Sequence, residues 1–214
     1  PWKKRKMVLI FKWNWARIDR AKNHSSAGRV CIQQMRRVRK VEWGGAWFVV
    51  HIVLVEPEIP QNTGNIARTC AVTKSSLHLI RPLGFDVSAS AVRRAGLDYW
   101  SQVSVTVYED LADFFAQHPD AKDCLWLASS KAPQSYTQVR YEPDCYLFFG
   151  KETAGLPEWF RTEYFHRCVR IPMVPGARCL NLSNSAAVLA YEALRQQGFP
   201  GLSGEGEMAE TGLV

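Results

Sequence analysis

The sequence predicts an α/β domain built on a parallel sheet. One observation behind this is residues 48–55, FVVHIVLV, a nearly continuous apolar run of the kind buried on both faces of such a sheet. The other is order, because apolar runs alternate with helical segments from there to about Leu202. Residues 48–55 are the first strand. Residues 56–65 are a turn-rich loop leading into a helix from Ile66 to about Val72. Residues 77–80 are a second strand, and 84–96 hold a loop and a short helix with the basic pair Arg93 and Arg94. Residues 103–108 alternate as a third strand, after which Asp110 caps a helix reaching Gln117. Residues 125–128 and 146–149 are further buried strands, and 169–171 close the sheet. Asn181-Leu182-Ser183-Asn184-Ser185 then opens the last helix, in which Ala187, Val188, Tyr191 and Leu194 recur at helical spacing as its apolar face.

Composition narrows the class. The chain has 214 residues, 47% of them hydrophobic and 22% charged, enough for one globular domain with a full core. No apolar run approaches the roughly 18 residues of a membrane span. Six dispersed cysteines without a CxxC pair, and five histidines without HxxH or HxxxH spacing, give a metal site no local support. His51 and His78 lie in apolar runs and read as core residues. Scattered thiols without a secretory signal fit a reducing compartment, so the expected address is the cytoplasm.

The basic balance is confined to one end. Residues 1–47 carry 13 Lys or Arg against Asp19 and Glu42, whereas residues 48–214 carry 14 against 18 acids. A nucleic-acid site on the core is therefore a local cluster and not a global field. The leader, 1–47, has three competing readings: a basic arm that folds on RNA, an Arg-rich organelle presequence, or sequence upstream of the true start. The last is favoured, because the texture changes abruptly at Phe48, and removal of residues 1–46 is expected to leave activity intact. The domain expectation is thus a disordered or non-native leader, a single domain over 48–202, and a flexible acidic tail over 203–214.

Three loops fall at carboxyl ends of expected strands, the edge where open α/β sheets bind ligands. They are PQNTGN (60–65) with Arg68 a turn further on, GKETAGLP (150–157), and the loop from Pro172 to Ser185. None matches GxGxxG or GxxxxGK[ST], so a dinucleotide-type site is disfavoured. Asn and Ser at the start of the last helix read equally as ordinary caps or as part of a loop whose backbone groups meet a polar ligand.

Taken together, PQNTGNIAR, FGKETAGLP and RIPMVPGARCLNLSNSAAVLAYEALRQ resemble the three motifs of the SPOUT (SpoU–TrmD) RNA methyltransferases. EPEIPQNTGNIAR and RRAGLDYW extend the resemblance over about residues 50–202, and it is greatest to the small members that methylate the tRNA wobble nucleotide. The resemblance implies a parallel sheet with a C-terminal trefoil knot, S-adenosyl-L-methionine bound by the knot loops, a homodimer and a tRNA substrate. It places cofactor contacts at Ala128, Gly150, Ile171 and Cys179. Lys151, Ala154 and Cys179 depart from the usual FGPETRGLP and Ser, which keeps a non-catalytic RNA-binding protein of the same fold in view.

The implied reaction is attack of a ribose 2′-OH on a sulfonium methyl, which requires positioning of two ligands and removal of a proton. The resemblance gives Arg68 the central role. A guanidinium stays protonated, so its chemistry is to bind ribose or phosphate and stabilise charge on the oxygen. Asn62 orients Arg68 or caps its helix, and Glu152 orders the second loop. Asn184 and Ser183 form the site floor, one of them explained by capping. Tyr191 stacks on a base, or belongs to the core or a dimer face. The expected activity is 2′-O-methylation of the wobble ribose, cytidine or modified uridine, with ribosomal RNA as the alternative substrate.

Overall fold

The computed structural model describes residues 49–87 and 100–206. The leader, Arg93, Arg94 and residues 207–214 lie outside the described residues. The elements are β1 (His51–Val55), α1 (Pro60–Thr73), β2 (Ser76–Ile80), β3 (Val105–Tyr108), α2 (Leu111–Gln117), α3 (Ala121–Cys124), β4 (Leu125–Ala128), β5 (Gln134–Ser135), β6 (Tyr146–Phe149), α4 (Glu158–Glu163), β7 (Cys168–Arg170) and α5 (Leu182–Gln196).

The strands form one sheet in the order β3-β2-β1-β6-β4-β7-β5, and every pairing between named strands is parallel. Alternation along β1 explains its unbroken apolar run. Ile52 and Leu54 join the core under α1 and α5, while Val53 and Val55 join the core on the other face with Phe114 of α2 and Phe160 of α4. A strand covered on both sides presents apolar side chains to both layers. The same holds for β4 and β6, whose expected and observed bounds coincide.

Four expectations need correction. Residues 60–65 are not a loop but the first turns of α1, which starts at Pro60. Proline at the first helical position is preset for the helix, although Thr63, Gly64 and Asn65 are weak helix formers. Residues 169–171 do not close the sheet. β7 lies between β4 and β5, and the edge is the two-residue polar strand β5, which carries no apolar signal. The third strand starts at Val105, two residues late, behind a single 3-10 turn at Trp100–Gln102. Finally, the buried face of α5 is Ser183, Ala186, Leu189, Ala190, Ala193 and Leu194, with Tyr191 46% exposed. Of the expected stripe Leu194 is buried and Val188 packs on the core from its edge, whereas Tyr191 faces out, so the buried face is turned from the one the periodicity picked.

Asp110 does cap α2, accepting from Asp113 N at 2.8 Å. His78 is buried and His51 half-buried, and both belong to a hydrogen-bonded chain. His51 Nδ1 lies 3.0 Å from His78 Nε2, His78 Nδ1 2.9 Å from Tyr108 Oη, and Tyr108 Oη 2.7 Å from His118 Nε2; His118 Nδ1 ends the chain 3.2 Å from Tyr146 Oη. No helix among the described residues is long and apolar enough to cross a membrane.

Candidate active site

The connections that leave β1, β4, β6 and β7 at their carboxyl ends meet around one cleft of about 850 Å³. Ala128, Gly150, Ile171 and Cys179 all line it, as do Asn62 and Glu152. Arg68, Asn184 and Tyr191 are exposed and are not among its lining residues.

A hydrogen-bond chain joins the three motifs. The Glu152 carboxylate accepts from Glu58 N at 2.9 Å, Ile59 N at 3.3 Å and Asn62 Nδ2 at 2.8 Å. Ile59 is the residue that precedes α1, and its own side chain gives no cap. Glu152 therefore supplies from another loop the negative charge and acceptors that a helix N-terminus requires. On its other side, Asn62 Oδ1 accepts from Asn181 Nδ2 at 2.8 Å. Asn181 Oδ1 in turn caps α5, accepting from Ser183 N at 2.8 Å, Ser183 Oγ at 2.6 Å and Asn184 N at 3.4 Å.

Asn62 is thus a buried link between two motifs, at the third position of α1, and not a cap. Nor does it share a face with Arg68: six residues are about 600° of helical turn, so the two side chains leave α1 on different sides. Asn184 contributes a backbone N–H to the α5 cap. Asn181, which in sequence reads only as the residue that opens the helix, completes the network. Its one available signal was the N-cap position itself, which says nothing of Asn62.

Loop 150–157 is stitched to the segment after β1 twice more. Lys151 Nζ pairs with Glu56 Oε2 at 2.8 Å, and the hydrogen bond and charge of Glu56 hold the ammonium above its ordinary pKa. Thr153 donates its N–H and hydroxyl to the Glu58 carboxylate at 3.0 and 2.9 Å. Lys151 is therefore accommodated by a local acid. Gly150 is required by its own loop: a Cβ there would lie 2.0 Å from Gly155 C and Leu156 N. Gly155 N donates to Lys151 O at 2.8 Å, which closes the loop on itself. Cys179 is an exposed free thiol at the cleft. No group of three or more His, Cys, Asp or Glu able to hold a metal occurs among the described residues.

The cleft's size suits a cofactor-sized ligand. Its lining combines apolar walls (Val169, Ile171, Leu189) with the backbone of the loops, a mixture that fits a purine and a short aliphatic chain.

The SpoU rRNA Methylase family model matches residues 49–191. A putative RNA (cytidine(34)-2'-O)-methyltransferase of Lactobacillus gasseri is 51% identical over 155 residues, 71% of this chain and 83% of the relative. A putative tRNA (cytidine(34)-2'-O)-methyltransferase of Geobacillus stearothermophilus is 49% identical over 159 residues, 73% of this chain and all of the relative. Among solved structures, a putative RNA methyltransferase from Bacillus anthracis superposes with a TM-score of 0.68 at 49% identity, covering 72% of this chain and 97% of the other. A structure described as giving insights into 2-OH methylation of C/U34 on tRNA has a TM-score of 0.63 at 40% identity, with coverage of 71% and 97%. The SpoU methyltransferase AviRb of Streptomyces viridochromogenes, in complex with AdoMet, shares the fold with a TM-score of 0.63 at 21% identity, over 72% of this chain and 60% of the other. With the parallel sheet, the linked motifs, a family model matched over residues 49–191 and relatives at about half identity matched over 83% or more of their length, the chain belongs to the SpoU methylase family.

Proposed function

We propose that this protein transfers a methyl group from S-adenosyl-L-methionine to the ribose 2′-oxygen of the wobble nucleotide, cytidine or modified uridine at position 34, in the tRNA anticodon loop. The observation that carries the reading is the Glu152–Asn62–Asn181 chain, which locks three sequence-distant motifs around one cleft. Relatives at about half identity, matched over most of their length and named for that reaction, support the substrate.

S-adenosylmethionine, when bound, supplies an electrophilic methyl group on its sulfonium. Ala128, Gly150, Ile171 and Cys179 hold it, Ile171 as an apolar wall and the others through backbone, so that Cys in place of Ser at 179 is tolerated. Glu152 and Asn62 act as positioning residues, since their polar groups are engaged by other parts of the chain. Arg68 serves the RNA from the exposed side of α1, holding ribose or phosphate and stabilising charge on the attacking oxygen. Asn184 and Ser183 fix the start of α5, and Tyr191 offers an exposed ring to a base or a second subunit.

Two further features go with this reading. A trefoil knot is supported by α5 returning from β7 to pack on α1 and β6, while residues 139–142 hydrogen-bond to Gln196 and Gln197 at its end. A homodimer is supported by exposed apolar groups on α1 and α5, notably Val72 and Tyr191. The compartment that suits a tRNA substrate and free thiols is the cytoplasm.

The deciding experiment is mass spectrometry of nucleosides from tRNA incubated with the protein and S-adenosylmethionine. The expected product is a 2′-O-methylated nucleoside at position 34. Calorimetry with S-adenosylmethionine alone separates this from a cofactor-free RNA-binding protein, for which no heat is expected.

A further inference from the structure

The charge around the cleft does not match the charge of the methyl donor. Three cations line it from three different connections: Lys131 after β4, Arg161 on α4 and Arg178 after β7. None has an ion pair among the described residues. Arg161 is steadied by Nε donating to Leu156 O at 3.1 Å, a bond that leaves the terminal nitrogens of its fork for a ligand. The cleft's carboxylate, Glu152, is fully engaged by Glu58 N, Ile59 N and Asn62, and its other lysine, Lys151, is neutralised by Glu56. The described part of the chain belongs to the segment in which acids outnumber bases, so this local surplus of positive charge runs against the general balance.

S-adenosylmethionine carries a sulfonium and an ammonium against a single carboxylate. A cleft with three unpaired cations repels such a ligand on balance, and one carboxylate neutralises at most one of them. The surplus fits a polyanion lying across the mouth. We propose that Lys131, Arg161 and Arg178 form a rim that binds the phosphodiester backbone of the RNA substrate next to the cofactor cleft. The proposal rests on the methyltransferase reading above and adds what holds the substrate strand there. Two consequences follow from the electrostatics. RNA and cofactor bind cooperatively, because the phosphates cancel the charge that opposes the donor, and the coupling is reciprocal. Removing the rim's charge weakens RNA binding while leaving donor binding unchanged or tighter.

The test uses the full chain and the double variant Lys131→Gln/Arg178→Gln, both positions being exposed, with Arg161→Gln as a separate variant. Fluorescence anisotropy measures affinity for tRNA across a KCl series, and calorimetry measures S-adenosylmethionine. The double variant is expected to lose at least about tenfold in tRNA affinity, with a salt slope shallower by about 1.5, or roughly 0.7–0.9 per lost phosphate contact. Its donor affinity holds or rises. An unchanged salt slope overturns the rim. Weaker donor binding with intact tRNA binding also overturns it, since the anion is then the donor's own carboxylate. Wild-type protein that leaves tRNA unmethylated brings down the underlying reading instead, and methylation by the wild type keeps the two failures distinct.

Discussion

At Gly150 the requirement for glycine is measured in ångströms. A methyl group there meets backbone atoms of Gly155 and Leu156 at 2.0 Å, which no side-chain rearrangement relieves. Gly150→Ala is therefore expected to force the 150–157 loop open. S-adenosylmethionine affinity should fall by more than tenfold by calorimetry, with little change in far-ultraviolet circular dichroism because the sheet lies elsewhere. In sequence this glycine stands out only through the family resemblance, as a cofactor contact, because nothing local reveals that the loop folds back on itself. Asn62 makes a second case. Asn62→Asp removes the donor to Glu152 and sets two carboxylates against each other where the present contact is 2.8 Å. The expected cost is about 1–3 kcal/mol in urea unfolding, together with loss of turnover larger than any loss of donor affinity. Equal activity of wild type and N62D would remove Asn62 from the positioning network.

Between elements, the informative joint is that of α1 with α5. Asn181 does two jobs with its two ends: the oxygen caps α5 and the nitrogen reaches Asn62. Asn181→Ala loses both and is expected to cost about 1–2 kcal/mol. Asn181→Asp keeps an acceptor for the cap but cannot donate to Asn62. It should retain most of the stability and still lose methyl transfer; a fully active N181D would show that the link between the motifs is dispensable. This joint also marks where sequence stops being legible. Residues 125–128 and 146–149 were readable as strands because burial on both faces leaves an unbroken apolar run. The start of α1 was not, because its stabilising carboxylate, Glu152, is some ninety residues away in sequence. The edge strand β5 was not readable either, since Gln134 and Ser135 bury no apolar face. Loops at strand ends pointed to the cleft, but only the fold brings Lys131 to the same mouth as Arg161 and Arg178.

At the scale of the whole molecule, the imidazole chain beside α2 makes the fold acid-sensitive. With neutral rings the links are all completed in either direction: His51 donating to His78, His78 to Tyr108, Tyr108 to His118 and His118 to Tyr146, or every link reversed. A second proton on His78 would meet a proton already donated to it, by His51 in the first arrangement or by Tyr108 in the second. Burial first, and then neighbouring imidazoles for His78, depress both groups, to about 4 for His51 and about 3 for His78, with Asp144 partly opposing the shift at His51. Burial lowers His118 as well. Above the ordinary value of 6.5 these groups are neutral whether the chain is folded or not, so their contribution does not vary with pH. As pH falls below 6.5 the unfolded chain takes up protons that the folded one refuses, and stability is lost until the folded values are passed. Each such imidazole removes about 1.4 kcal/mol per pH unit in that window. Between pH 7.5 and 5.5, before most carboxylates titrate, His51 and His78 together should therefore lower the unfolding free energy by about 2–3 kcal/mol. His78→Gln provides the control, because an amide can accept from His51 and donate to Tyr108 but cannot titrate. The variant should unfold with roughly one proton less uptake than wild type over the same range, read from urea midpoints at a series of pH values. A wild-type midpoint that stays level from pH 7.5 to 5.5 would mean that the chain accommodates the charge, and that its hydrogen bonds do not hold the rings neutral.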